Sequence, residues 1–256
     1  MTDQLQRGVW PDLIERIRAR TPARVLVERS GAAYRTATQL DLRQDHAAAR
    51  DAARTEFDLE RDLGSGFVDK WKLFAVSTMA GSKDEYLQRP DLGRRLDENA
   101  RNQLAAHCVP QADLQVVIGD GLSVTAVSTQ VPALLPLIAE KSEAHGWKPG
   151  HPFAIHYCRV GIMNDVGALL KPKVIVLLIG ERPGLATAES LSAYLAFQPC
   201  AGHSDAHRNL ISNIHARGVN TETAASRIID LAEQMMHRKT SGVELKEELP
   251  PPAWLK

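Results

Sequence analysis

Glu181 and Arg182 follow directly on six apolar residues, Val174–Ile179, and are followed at once by Pro183 and Gly184. A carboxylate and a guanidinium at the end of a strand buried on both faces can hold a polar ligand. In open parallel sheets ligands sit beyond the carboxyl ends of the strands, where loops splay apart and helix N-termini supply N–H donors. Two other apolar runs end in unusual residues, "GDGLS" at 119–123 and "CRVG" at 158–161. The three loops are expected to converge on one crevice. Equally open from these residues alone is that Gly, Asp and Pro only make turns: Arg182-Pro183-Gly184-Leu185 suits a type II turn, with Pro presetting its second position and Gly tolerating positive φ at its third.

Other patterns carry less. Gly119 and Gly121 are followed by Val124 where a dinucleotide-binding G-x-G-x-x-G needs its third glycine, and no P-loop is present. His203, Asp205 and His207 alternate in "HSDAH", a spacing that could ligate a metal from an extended loop, but one triplet without a second ligand cluster reads as a polar loop. There is no Ser elbow, no evident Cys–His arrangement and no defensible acid–base pair of carboxylates. The chain is better equipped to hold something than to react with it, so no catalytic residue and no metal ligand is expected in it.

These loops must be positioned by elements that the apolar pattern outlines. Strands are predicted at 114–118, 153–160 and 174–179, with a fourth at 208–215. Between them lie helical segments, one from Ser123 to Gly146 with Pro interruptions and one at 162–170. The last helix has Thr221 as cap, a stripe of Ala225, Ile228, Ile229, Ala232, Met235 and Met236, and Gly242 past its end; its two Met read as core packing. Upstream, the first hundred residues read as helical: an Ala-rich helix from a capping box at Thr36–Gln39 to about Ala53, and a second from Asp91 with Leu92, Leu96, Ala100 and Leu104 on one face. The expected fold is α/β, a mostly parallel sheet with helices on both faces (109–256), preceded by a small helical N-terminal domain (1–108). "EELPPPAWLK" closes the chain as a Pro-stiffened tail.

Composition removes several partners. Lys plus Arg and Asp plus Glu are both 31, which gives no basic excess for nucleic acid or an anionic membrane. Aromatics are 5%, too few for a base-stacking platform. No apolar run approaches a spanning helix, Met1–Trp10 lacks signal-peptide design, and three widely spaced cysteines suit reduced thiols, so a cytosolic protein is expected.

Four stretches carry a resemblance: "YLQRPDLGRRL" from Tyr86, "VVIGDGLSVTAV" from Val116, "RVGIMNDVGALLKPKVIVLLIGERPGLATAESLSAYL" from Arg159, and "RNLISNIHARGV" from Arg208. In this order and spacing, from about Arg24 to the end of the last helix, the chain resembles the small (light) subunits of adenosylcobalamin-dependent ethanolamine ammonia-lyase. The resemblance implies a helical N-terminal domain and a Rossmann-like C-terminal domain that meets a TIM-barrel large subunit. Adenosylcobalamin would lie between the two subunits, with ethanolamine held by the large one and converted to acetaldehyde and ammonia by radical chemistry that the cofactor supplies. The family's small-subunit cofactor contacts map onto Val160, Glu181 and Leu210. On that reading Glu181 accepts amide N–H donors from the corrin rim, and Glu181→Ala is expected to weaken cofactor binding more than folding.

Two departures stand out. Familiar members carry Cys where Leu210 stands, and an extended N-terminal arm of enterobacterial members has no counterpart, which leaves cytoplasm and bacterial microcompartment as equal expectations. "DAHRNL" at Asp205–Leu210 opens like the D-x-H-x-x-G motif of base-off cobalamin proteins but has Leu210 in place of Gly, so His207 is not expected to ligate cobalt. Two other readings stay open: a stand-alone α/β enzyme acting on a small phosphorylated ligand through the "GDGLS" helix start, and a scaffolding subunit without cofactor.

Overall fold

The computed structural model describes residues 10–20, 25–27, 29–184 and 187–247. The Pro-stiffened tail from residue 248 and Leu185, which closes the expected type II turn, lie outside the described residues. Among the described residues no helix is long and apolar enough to cross a membrane.

The chain opens with α1 (Trp10–Arg18), a two-residue hairpin of β1 (Arg29–Ser30) and β2 (Ala33–Tyr34), and the Ala-rich α2 (Thr36–Arg54), on which no residue is buried. Its N-cap is Arg35, without a side-chain cap bond, so the capping box expected at Thr36 does not form. Then come α3 (Leu59–Leu63), α4 (Ser65–Trp71), β3 (Ala75–Ser77), α5 (Lys83–Gln88) and α6 (Glu98–His107). The first hundred residues are therefore not all helical. Ala75–Ser77 pairs in parallel with a later strand, and three residues are too few to show a period of two in sequence. Nor does a helix run from Asp91. A 3₁₀ turn occupies Leu92–Arg94, and α6 starts after Asp97, whose carboxylate accepts the Ala100 N–H at 2.6 Å. Gly93 explains the break: a Cβ there would meet Tyr157 O at 2.8 Å, so this turn follows a tertiary contact rather than helical propensity.

The second half contains β4 (Leu114–Gly119), α7 (Val124–Ala144), β5 (Phe153–His156), α8 (Ile162–Leu170), β6 (Val174–Gly180), β7 (Leu191–Phe197), β8 (Asn209–Ile214) and α9 (Thr221–Arg238). Helix α7 runs continuously through Pro132 and Pro136, and α9 is capped by Asn220, which accepts the Thr223 N–H at 2.8 Å, rather than by Thr221. The strands form one six-stranded sheet in the order β3-β5-β4-β6-β7-β8. The first four are mutually parallel, while β7 and β8 are each antiparallel to their neighbours. The fold is thus α/β with a mixed sheet. Among the described residues between Gly180 and Leu191 there is no helix, and the connection of ten residues is shorter than the roughly a dozen or more that a parallel return needs, so β7 comes back antiparallel.

Both sheet faces are covered. Val116, Ile118, Val176 and Leu178 pack with α7 and α9 residues such as Val131, Leu134, Ile228 and Met235; Phe57, Leu63, Val68 and Leu73 join the same core. On the opposite face Val117, Ile155, Ile175 and Leu177 pack against Leu104 of α6 and Val166 of α8. Strands buried on both sides favour apolar side chains on both faces, which is why β6 and, apart from the hydrogen-bonded Gln115, β4 read as continuous runs rather than alternations.

Candidate functional site

Three strand-end loops meet where β4, β5 and β6 finish. Gly121 turns with φ +58° so that the Leu122 N–H reaches Gly180 O at 3.1 Å; a Cβ on Gly121 would lie 2.3 Å from that oxygen. One on Gly180 would lie 2.1 Å from Ser123 O, so two glycines let the first and third loops touch backbone to backbone. Ser123 accepts the Ala126 N–H at 3.2 Å and so caps α7.

The second loop is tied by a buried charge pair. Asp120 is fully buried, and its carboxylate accepts the backbone N–H groups of Tyr157 at 3.0 Å and Cys158 at 2.8 Å. Lys83 of α5, also buried, donates to Asp120 Oδ2 at 3.2 Å and to Gly121 O at 3.0 Å. This is why β5 stops at His156 rather than running to residue 160: Tyr157 bends away at φ +58° to present its N–H to Asp120. Tyr86 donates its hydroxyl to Cys158 O at 3.2 Å, and the Arg159 guanidinium stacks over its ring at 4.1 Å while donating to Tyr86 O at 3.0 Å. Burial pushes the Tyr86 hydroxyl and the Cys158 thiol well above their ordinary pKa ranges, so both stay protonated near neutrality.

These loops enclose an open cleft of about 350 Å³, and Val160, Glu181 and Leu210 all line it. Its floor includes Ile179, Ser192 and Tyr194, with Leu210 on the edge strand β8, 45% exposed. Glu181 is more tied down than its position at the lip suggests. Its Oε2 accepts the Ser190 hydroxyl at 2.7 Å, and its Oε1 accepts the Ser192 hydroxyl at 2.6 Å and the Asn213 N–H at 3.0 Å. Asn213 sits at φ +57° beside the register shift between β7 and β8, so the carboxylate satisfies an N–H where the ladder is irregular. A carboxylate offers about four lone-pair sites, which leaves one for a ligand. Arg159 also lines the cleft, and its Nε is buried without a partner among the described residues.

The His203–Asp205–His207 triplet is engaged locally. The two imidazoles stack at 4.5 Å, His207 Nδ1 accepts the Ser204 N–H at 3.1 Å, and Asp205 pairs with Arg208. His207 lines a separate cavity with Phe197 and Lys239 rather than the cleft. A Cys–His contact that the sequence did not reveal does exist: Cys200 Sγ lies 3.3 Å from His203 Nε2. Among the described residues no group of three or more His, Cys, Asp or Glu is placed to hold a metal. Sequence reasoning also missed Lys83, Tyr86 and Arg159 as site builders. Tyr86 and Arg159 stand within the quoted motifs, whereas nothing local marks Lys83, whose partner lies 37 positions away.

The arrangement is an open cleft that offers a carboxylate with one acceptor position left, the cations Arg159 and Arg182, and apolar surface from Val160 and Leu210. Comparison with known proteins gives this cleft a context. The family model described as "Ethanolamine ammonia-lyase light chain (EutC)" matches residues 11–246. A Clostridium acetobutylicum protein named ethanolamine ammonia-lyase small subunit is 38% identical over 233 residues, covering 91% of this chain and 94% of its own length. Proteins of the same name from Pseudomonas syringae pv. tomato, 40% identical over 237 residues (91% of this chain, 82% of theirs), and Clostridium perfringens, 40% identical over 230 residues (90% and 76%), are also similar. With a match that spans every element from α2 to α9, the chain belongs to the ethanolamine ammonia-lyase light chain family.

Proposed function

We propose that this chain binds one edge of adenosylcobalamin through Val160, Glu181 and Leu210 and completes an ethanolamine ammonia-lyase only together with a TIM-barrel large subunit. The observation that carries the proposal is that these three residues, far apart in sequence, line a single cleft at the ends of the parallel strands. The residues present fit such a group. A cleft of about 350 Å³ takes the rim of a corrin-sized ligand rather than the whole, which suits a cofactor shared between two chains. Rim amides can donate to the free site on Glu181, amide carbonyls can accept from the orphaned Arg159 Nε, and Val160 and Leu210 offer apolar contact.

When bound, adenosylcobalamin supplies the radical chemistry that turns ethanolamine into acetaldehyde and ammonia. This chain's residues orient and shield. Asp120 and Lys83 hold the second loop so that Val160 faces the cleft, and Ser190, Ser192 and Asn213 fix the Glu181 carboxylate. The division of the chain at Cys108 belongs to this reading: a first part, mostly helical but contributing β3 to the common sheet, lends Tyr86 and Lys83 to a Rossmann-like, cofactor-binding second part. The assembly works in the cytoplasm or a bacterial microcompartment, without nucleic acid or membrane.

Copurification with the cognate large subunit tests the proposal. The complex should take up adenosylcobalamin, seen as cobalamin absorbance, and turn over ethanolamine only when the cofactor is added; the isolated chain should make no acetaldehyde. Acetaldehyde from the isolated chain, or a complex without cobalamin absorbance, overturns it.

A further inference from the structure

Beside the cleft lies a second cavity of about 540 Å³, and neighbouring residues build both: Val160 lines the cleft and Gly161 the cavity, Leu210 the cleft and Arg208 the cavity. Its carboxylates are already matched. Asp91 receives Arg89 at 2.7 Å, Asp165 accepts Arg101 and the Leu96 N–H at 3.0 Å, and Asp205 is paired with Arg208. The Arg208 side chain is 4% exposed and also donates to Asn164 Oδ1 at 3.0 Å. Two cations remain. Arg94 and Arg95 line the cavity, and among the described residues neither has a carboxylate within ion-pair distance. Arg94 is also aimed by the fold, since its stem lies on Gly161, where a Cβ would meet its Cγ at 2.8 Å.

We infer that Arg94 and Arg95 form an anion subsite for a phosphate group, and that the anion is the nucleotide-loop phosphodiester of a cobalamin whose rim occupies the adjoining cleft. The inference rests on the proposed cofactor role of that cleft. Chemistry favours it: the guanidinium fork matches phosphate oxygens two at a time, and Arg94 and Arg95 make no direct ion pair among the described residues, Asp91 acting on Arg95 only at longer range. A phosphodiester is the anionic group of an otherwise amide-rich cofactor, and Gly161 and Arg208, which line the second cavity, stand one and two residues from Val160 and Leu210, which line the cleft.

The test compares adenosylcobalamin with adenosylcobinamide, which lacks the nucleotide loop, binding to the two-subunit complex carrying either the unaltered chain or R94Q/R95Q. Equilibrium dialysis gives each dissociation constant, and thermal unfolding checks that the variant folds. The double substitution should weaken adenosylcobalamin binding about tenfold or more while leaving adenosylcobinamide binding within about twofold. Equal losses for both ligands, or none for either, overturn the inference and leave the cofactor reading standing. If the unaltered complex binds neither ligand, the cofactor reading falls and the inference with it. A third arm adds inorganic phosphate: stabilisation of the unaltered chain but not of the variant, with no difference between the two corrinoids, would assign the subsite to free phosphate and overturn the cofactor assignment.

Discussion

The Glu181 carboxylate is a structural acceptor as well as the proposed cofactor contact. Three hydrogen bonds reach it, from Ser190 just before β7, Ser192 of β7 and Asn213 of β8, so its removal touches folding as well as any ligand. Asn213 is exposed, which limits the loss of its N–H bond, whereas Ser190 and Ser192 are buried and lose their acceptor. Glu181→Ala should cost about 2 kcal/mol, a drop of roughly 4–8 °C in the thermal midpoint of a chain this size, and weaken cobalamin uptake by the complex about tenfold. Circular dichroism melts and dialysis separate the two effects; an unchanged midpoint would show that the serines and Asn213 gain nothing from the carboxylate. From sequence alone the residue looked free to serve a ligand. Its position at the end of an apolar run was legible there, but its partners were not, because Ser190, Ser192 and Asn213 come close only once β7 and β8 fold back on β6.

Among the elements, those with a long period were legible and those made by tertiary contact were not. Strands β4 and β6 and helices α7, α8 and α9 follow from runs and stripes that burial on two faces or one demands. Strand β3 is too short to signal itself, and β7 hides behind the polar loop that feeds it. The convergence of the three loops was legible from the rule that strand ends gather ligands; what joins them was not. That junction gives the element-scale prediction. Gly121→Ala puts a methyl group 2.3 Å from Gly180 O at φ +58°, and backbone on both sides has little room to give. Overpacking together with the left-handed conformation should cost about 3 kcal/mol or more, a fall of roughly 6–12 °C by calorimetry. Gly146→Ala is the control: it shares the positive φ, at +69°, but its Cβ meets nothing within 4 Å, so it should lose only about 1 kcal/mol. Similar losses at both sites would mean that backbone conformation, not the junction, governs the cost.

At the scale of the whole molecule, stability is unevenly shared. Phe57, Leu63 and Val68 enter the core beneath α7 and α9, whereas the helix before them, α2, buries nothing, and its Arg54–Asp84 pair is mostly exposed and worth little. A chain starting at Thr55 should therefore melt within about 2 °C of the full one. A larger fall would mean that the α2 surface contributes to the fold through its half-buried side. The cleft has a different practical meaning. Leu210 stands on an edge strand with 45% of its surface open, while its neighbour Ile211 points into the core, so a side chain changed at 210 alters the wall of the cleft without disturbing the packing behind it. Cys108 and Cys158 are buried and Cys200 is the exposed thiol of the three. With Cys200 replaced by Ser, a cysteine introduced at position 210 becomes the addressable attachment point for an environment-sensitive fluorophore, turning the edge strand into an optical gauge of what enters the cleft and when.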